Sequence, residues 1–322
     1  MKAIVYSAYG PPEVLELRET TQPIPKDDEV LVKIHAVSLN PADLHLLNGR
    51  PFFARLSMGL KKPRITTPGI DIAGVVEEAG KNVQDFKKGD EVFGGCGWGG
   101  GLADYVCVAE KNLVFKPANL SFEEAAAANV AAITALQGFR QAGRIQPGHD
   151  ILINGASGGV GTFAVQIAKL YGAVVTGVCS AGNLDLVYGL GADFVIDYAR
   201  EDFTRIEQKY DFILDAVGNR TVSAIRRALK NDGLCMIAGF TSTGLLIQHM
   251  IFGHLLSGKN GKRVKLMGTA KTNKDDLIIL KNLLGSGKIK SVIDRTYPMN
   301  EITEAVRYLE KGHSKGKVVI TL

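Results

Sequence analysis

Apolar and polar positions follow two rhythms along the chain, and the change between them divides it. Up to about residue 120 the apolar runs are short, alternate with polar residues and are broken by glycine and proline, as half-buried strands and turns require. Lys2–Tyr6 predicts a strand, Gly10-Pro11-Pro12 a turn and Val14–Leu17 a returning strand. The alternation in 29–39, EVLVKIHAVSL, predicts a strand with one face on a core. Asn40-Pro41-Ala42-Asp43 then opens a helix, with Asn40 as its cap and Pro41 in the first turn. Residues 49–66 read as a long loop rich in basic and aromatic side chains, and 94–101, GGCGWGGG, as a loop with little side-chain restraint. From Ser121 the rhythm lengthens. Ser121-Phe122-Glu123-Glu124 is a capping box ahead of an alanine-rich helix running to about residue 142. Strands then recur near 150–154, 173–178, 193–196, 211–214, 234–238 and 264–268, with helical spacing between them. That alternation predicts an α/β fold: a doubly wound parallel sheet, a complete Rossmann domain over 124–269. Beyond it come helices at 274–285 and 300–311 and a terminal strand at 317–322. The last strand most simply rejoins the β-rich domain of residues 1–123, completing it with 270–322, and the cleft between domains becomes the expected active site.

The second domain is built around 149–161, HDILINGASGGVG. A buried strand, a glycine turn and a helix follow one another, the context that a dinucleotide fingerprint needs. Ala156-x-Gly158-x-x-Gly161 matches it with alanine first, while Gly155 and Gly159 add backbone freedom. Gly158 lets the main chain approach a pyrophosphate, and Gly161 lets the helix pack on its strand. The helix N-terminus, with Ser157 and Val160 beside the glycines, offers free N–H groups and partial positive charge to phosphates.

An NAD site usually ends its second strand in a carboxylate, about 20 residues on, to hold the ribose hydroxyls. Here that position falls at or next to Ser180, and Asp185 lies a turn into the next helix. A 2′-phosphate meets no repulsion there, and Ser180, Asn183 and Tyr198 are candidate donors to it. No Arg or Lys lies within 181–199, so charge pairing is missing. NADPH is the expected cofactor.

Composition adds bounds. At 322 residues and 46% hydrophobic the chain can bury a large core, and a net charge of +5 spread along it gives no nucleic-acid groove. The cysteines at 96, 107, 179 and 235 form no CxxC pair, and three of them sit in strand-like apolar context, as buried thiols of a reducing compartment do. No apolar stretch reaches membrane-spanning length, and the N-terminus lacks a signal peptide's core; a cytoplasmic protein without membrane contact is expected.

The segments MKAIVYSAYGPPEVL, VSLNPADL, PGIDIAGVVEEAG, GDEVFG, INGASGGVG, DAVG and GHSKGKVVI together resemble the medium-chain dehydrogenase/reductase superfamily, most closely its zinc-free quinone oxidoreductase branch. The resemblance covers nearly the whole chain and implies a GroES-like catalytic domain beside the Rossmann domain. Zinc enzymes of the superfamily carry an early Cys ligand, a Gly-His-Glu turn and a cysteine cluster. Here the corresponding positions hold Ser38–Asn40 and Gly69-Ile70-Asp71, and the cluster is absent, so no metal is expected. Without a Lewis acid, hydride delivery favours acceptors that stabilise their own charge: quinones and α,β-unsaturated carbonyls.

The resemblance also implies site roles. Asn40 faces nicotinamide and substrate, with Asp43 bracing its turn; equally, both only cap the helix. Thr134, Gly239-Phe240-Thr241 and Lys317 are implied cofactor contacts. Phe52, Phe53 and Trp98 are candidate pocket walls that stack on a flat acceptor, or else pack locally. An enoyl-thioester reductase, with Arg50, Arg55, Lys61, Lys62 and Arg64 as a basic rim, is the alternative within enzymes. A non-catalytic NADPH-binding protein is the alternative outside them. The sixth Rossmann strand, VKLMG, can pair with its own copy in a homodimer.

Overall fold

The computed structural model describes residues 1–143, 145–255 and 259–322. They divide into two compact units, 1–133 with 271–322, and 134–270.

The first unit is organised on the strand Glu29–Leu39, whose Val30, Leu31, Val32, Ile34, Ala36, Val37 and Leu39 are buried. It pairs antiparallel with Asp71–Ala79, with Tyr105–Ala109 and, near its C-terminal end, with Lys317–Thr321. Further strands extend the sheet on both sides: Ile293–Pro298 next to the C-terminal strand, and Glu91–Gly95 then Leu113–Phe115 beyond Asp71–Ala79. A small hairpin of Lys2–Val5 with Glu16–Glu19 completes the β structure. The helix Ile302–Glu310 lays Ile302, Ala305, Val306 and Leu309 on the same core as Ile4, Leu39 and Val318. The C-terminal strand therefore returns to the N-terminal sheet.

The second unit is a parallel sheet of six strands in the order Phe194–Asp197, Val174–Cys179, Asp150–Asn154, Tyr210–Asp215, Leu229–Ile237, Arg263–Leu266. Numbered along the chain, this is the 3-2-1-4-5-6 order of a doubly wound nucleotide fold. Ile151, Leu152 and Ile153 are wholly buried, as a strand covered on both faces requires.

Two expectations need correction. The alanine-rich segment is two helices, Phe122–Ala126 and Asn129–Ala142, separated at 127–128. The reason is an acceptor: the Asp71 carboxylate takes the Val130 N–H at 3.1 Å and the Asn129 amide at 2.9 Å, giving the second helix its own start. The division between units also lies ten residues beyond the expected 123/124. The capping box at Ser121 is real, with Glu124 N–H on Ser121 Oγ at 3.2 Å, but the helix it starts packs on strands of the first unit. A cap marks where a helix begins, not which core it joins.

Gly161 is pressed against the glycine turn: a Cβ there would lie 2.0 Å from the Gly155 carbonyl oxygen. Gly161→Ala should therefore push the helix off its strand and cost about 1–3 kcal/mol, the scale of overpacking. Gly189→Ala, whose Cβ would meet nothing within 4 Å, should be neutral or slightly stabilising. Thermal melts of the two variants check this; equal melting temperatures would refute it.

Candidate functional site

Chemistry-bearing residues gather in two places, one in each unit. In the first unit the sheet register does the gathering. Val318 lies opposite Leu39, Ser38 opposite Asp71, and Asp71 opposite Gly95. Lys317, Asn40 and Asp71 thus stand side by side where three strands begin or end. The Asn40 amide donates to Asp71 Oδ2 at 2.9 Å and to the Ser38 carbonyl at 3.3 Å. Its oxygen accepts from Lys317 Nζ at 2.5 Å, and Lys317 Nζ is 3.5 Å from Asp71 Oδ2. The other oxygen of Asp71 takes Asn129 and Val130, as above. A Cβ at Gly95 would sit 2.6 Å from Asn129 Nδ2, so glycine there lets Asn129 reach the carboxylate. Asp43 accepts from the Asn40 N–H at 2.8 Å and from the Gly69 N–H at 3.0 Å, tying the helix start to the turn before Asp71.

All three ionisable groups are buried: Asp71 is 0% exposed, Lys317 3% and Asp43 4%. Burial pushes the Asp71 carboxyl up, opposed by the Lys317 charge and the hydrogen bonds from Asn40, Asn129 and Val130. Burial likewise pushes Lys317 down, and the charges of Asp71 and Asp43 oppose it. The Asp43 carboxyl is pushed up to about 6, by burial first and then by Asp71, against the two N–H groups it accepts. Each charge is held by its neighbours, so a buried ion pair flanked by amides is the state the geometry favours.

Asn40 therefore is not simply a helix cap. Asp43 forms the return half of the capping box, while the Asn40 side chain turns away into the network, with both amide hydrogens committed. An amide so held has no N–H left for a substrate. Lys317, implied as a cofactor contact, lies in this same network. Asp71 and Asn129 were not singled out as site residues. The signal for Asp71 was an acid inside an apolar strand, IDIAGVV; nothing local marks Asn129, which lies 58 residues away from its partner.

Ile70, at one of the zinc-ligand positions, and the titratable Cys96 and His35 have other contacts. Ile70 is buried, and the Cys96 thiol donates to the carbonyls of Gly69 and Ile70 at 3.1 and 3.3 Å. Burial and the nearby Asp71 and Asp43 push that thiol far above its usual range. His35 stacks on Phe122 at 4.4 Å between centroids. Among the described residues no group of three or more His, Cys, Asp and Glu side chains is arranged to hold a metal ion.

In the second unit, the Gly155 and Ala156 N–H groups donate to the Val178 carbonyl at 3.1 and 2.9 Å, with Gly155 at φ +83°. The helix Gly159–Leu170 follows from an extended Gly158, so the N–H groups of Gly159, Val160 and Gly161 have no intrahelical acceptor. A Cβ on Gly158 would meet only the Gly155 oxygen, at 3.4 Å, leaving that side open. Asn183 donates to both Ser157 Oγ and Ser180 Oγ at 3.1 Å, and its own Oδ1 is buried without a partner. The Tyr198 N–H donates to the Cys179 carbonyl at 3.1 Å, with its ring half-exposed. Ser157, Ser180, Asn183 and Tyr198 thus converge at the C-terminal ends of neighbouring strands. Asp197, beside Cys179 in register, has its carboxylate turned onto the Ala199 N–H. Free helix N–H groups and the Ser157 and Ser180 hydroxyls, which accept from Asn183 and keep their own hydrogens to donate, fit a dinucleotide phosphate, while the orphan Asn183 oxygen fits a ribose hydroxyl.

Gly239, Phe240 and Thr241 follow the fifth strand, where Thr241 Oγ1 donates to the Gly218 carbonyl at 3.4 Å. Below them is a pair that sequence reasoning missed. Asn154 donates to Asp215 Oδ1 at 2.7 Å across the ends of the first and fourth strands, where the strand order reverses. Thr134 is buried in the helix Asn129–Ala142. Phe52, Phe53 and Trp98 are 69%, 48% and 53% exposed, so none is packed away.

Residues 26–118 match the alcohol dehydrogenase GroES-like domain, and residues 190–320 match a zinc-binding dehydrogenase domain. The chain is 38% identical to a 2-methylene-furan-3-one reductase of Solanum lycopersicum, over 99% of this chain and 79% of the relative. It is 36% identical to a chloroplastic NADPH-dependent alkenal/one oxidoreductase of Arabidopsis thaliana, over the same shares of each. The structure of the quinone oxidoreductase from Coxiella burnetii matches with a TM-score of 0.86 at 31% identity, covering 100% of this chain and 99% of that one. This chain belongs to the medium-chain dehydrogenase/reductase superfamily, in its quinone oxidoreductase branch.

Proposed function

We propose that this chain reduces quinones and α,β-unsaturated carbonyls with hydride from NADPH and without a catalytic zinc. The observation that carries this reading is the donor set of the buried network. Amides, carboxylates and an ammonium hold one another in place there, and an isoleucine stands where zinc enzymes place a histidine. NADPH, when bound, supplies the hydride. The N–H groups of residues 159–161 receive its pyrophosphate, and Ser157, Ser180, Asn183 and Tyr198 surround the adenosine ribose. Thr134 and Gly239–Thr241 are assigned to the rest of the cofactor, and Phe52, Phe53 and Trp98 to the acceptor. A conjugated acceptor spreads the incoming charge onto its oxygen, so positioning and a hydrogen-bond donor suffice. Arg55 weakens the thioester alternative, because its guanidinium donates to the Gly49 carbonyl at 2.9 Å and lies 4.4 Å over the Tyr9 ring. Four free cysteines suit a reducing compartment, the cytoplasm in our reading. The edge strand Arg263–Leu266 is the element we assign to a homodimer.

Zinc should be absent from protein purified without metal-affinity steps, by elemental analysis, and chelators should leave activity intact. Stoichiometric zinc with chelator-sensitive turnover would overturn this. NADPH should bind more tightly than NADH, and Ser180→Asp should weaken NADPH by about 1–3 kcal/mol through repulsion and a lost hydrogen bond. NADH should change much less; titration of both cofactors into both proteins separates a ribose-side role for Ser180 from a general loss. Against a panel of quinones, alkenals, enoyl thioesters and simple alcohols, turnover should concentrate on the first two classes. In Asn40→Ala the amide joining Lys317 to Asp71 is lost, and kcat should fall about ten- to a hundredfold with NADPH affinity nearly unchanged. A variant that only melts earlier and keeps its rate would make the network structural.

A further inference from the structure

We propose that Lys317 donates the hydrogen bond and then the proton to the acceptor oxygen, and that Asp71 is the positioning residue that holds it for this task. The inference deepens the proposed reductase activity and rests on it.

Most hydrogens and lone pairs of the network are already committed. Both amide hydrogens of Asn40 are committed, to Asp71 and to the Ser38 carbonyl. Both oxygens of Asp43 accept backbone N–H groups, and Asp71 accepts on both of its oxygens. The Lys317 ammonium has three hydrogens. It spends one on Asn40 Oδ1 and lies at 3.5 Å from Asp71 Oδ2, so at least one remains uncommitted. The Ser38 hydroxyl is buried without a partner, but it is neutral and a far weaker acid. Lys317 alone among these groups combines a free N–H with a positive charge. At 3% exposure the charge is scarcely hydrated, which strengthens its bond to a developing oxyanion.

The orientation is set from two sides. Asp71 pulls the Asn40 nitrogen toward itself, which turns the Asn40 oxygen onto Lys317. Asp71 and Asn40 together fix the ammonium and offset its burial, and Asp43 adds a second, more distant negative charge. Cys96 and Tyr6, the other titratable groups coupled to these carboxylates, are both pushed far up and stay neutral. The step balances as follows. Hydride adds to the electrophilic carbon, and the conjugated π pair moves to the acceptor oxygen. That oxygen forms an O–H bond with a Lys317 proton, while the broken N–H pair stays on nitrogen as a neutral amine. Water returns the proton to the amine, which the Asp71 carboxylate favours. One hydride and one proton are consumed, giving an enol that becomes the saturated carbonyl or, from a quinone, a keto tautomer that becomes the hydroquinone by exchanging its ring C–H proton with solvent for one on the second oxygen.

The donor must be protonated to act. Activity should therefore be present below the Lys317 pKa and lost above it, with a basic limb lower than an ordinary lysine's because burial pushes the group down. Asp71→Asn removes the charge that most opposes burial, so it should move this limb to lower pH. The experiment measures kcat/KM against pH for a quinone and an enone in the wild type, Asp71→Asn, Lys317→Met, Lys317→Arg, Ser38→Ala and the charge-neutral double variant Asp71→Asn/Lys317→Met. NADPH affinity by fluorescence titration and a thermal melt accompany each. Lys317→Met should lower enone kcat/KM by about a hundredfold or more, the scale of a lost general acid. NADPH affinity should hold, and Lys317→Arg should restore part of the rate. The double variant keeps the test open if a lone buried charge prevents folding, and it should be as slow as Lys317→Met.

Any of these results would overturn the proposal: loss of NADPH affinity in step with rate in Lys317→Met, making it a cofactor contact; a basic limb unmoved by Asp71→Asn; or a loss confined to Ser38→Ala. A wild type inert toward every quinone and enone would remove the reductase reading and the proposal with it. A wild type that is active while Lys317→Met matches it would remove the proposal alone.

Discussion

A lysine buried beside two aspartates is the constraint that shapes the first unit. Moving such charges out of water costs several kcal/mol per ion unless each finds partners at close range. The partners of Lys317 come from residues 40 and 71, so the C-terminal strand must lie against Glu29–Leu39 in one register. A shift of one residue would turn Lys317 to the other face of the sheet and leave Asp71 without its counter-charge. The same carboxylate splits the alanine-rich segment into two helices, and its amide partner Asn129 demands glycine at position 95. Features that look unrelated along the chain answer to one buried ion pair.

The second unit is governed by different physics. Its sheet is held by apolar burial on both faces, and its polar residues collect where the strands end and the helix dipole begins. Asn183 bridges two serine hydroxyls there and keeps an acceptor in reserve. Asn154 and Asp215 close the reversal point between the first and fourth strands, with Asp215 Oδ1 also accepting from Val217 and Gly218 at 3.0 and 2.8 Å. One hydrogen-bonded carboxylate therefore shapes the turn 215–218, on which Gly239 packs tightly: a Cβ at Gly218 would lie 2.1 Å from the Gly239 oxygen.

In the proposed function the two sets of residues divide the labour of a reductase that works without a Lewis acid. One is assigned to phosphates, through fixed dipoles and hydroxyls. The other holds a desolvated positive charge and fixes its direction through neighbours that cannot themselves donate. A site of this kind suits an acceptor whose charge arrives on oxygen, because the stabilising group is already oriented before the charge appears. Membership of the quinone oxidoreductase branch agrees with that division.

The sequence by itself determined whatever depends on neighbours along the chain. The IleLeuIle run, the glycine turn and the helix behind it are local, and so were the strand Glu29–Leu39, the helix Lys274–Gly285 and the absence of a carboxylate at Ser180. That Ile70 stands where zinc enzymes of the superfamily carry a histidine is likewise a fact of sequence alone. Tertiary structure alone decided the rest. Asn40 reads equally as cap or site residue from sequence, and only register brings Asp71 and Lys317 to its two amide ends. Lys317, assigned by resemblance to the cofactor, turned out to share the network of a residue 277 positions away. Asn129 and the helix break before it follow from a carboxylate 58 residues earlier, which no local cap signal can announce. Periodicity and capping report where a side chain points relative to its own element. Which charge it meets is set by the pairing of strands distant in sequence, and that is fixed only when the whole sheet forms.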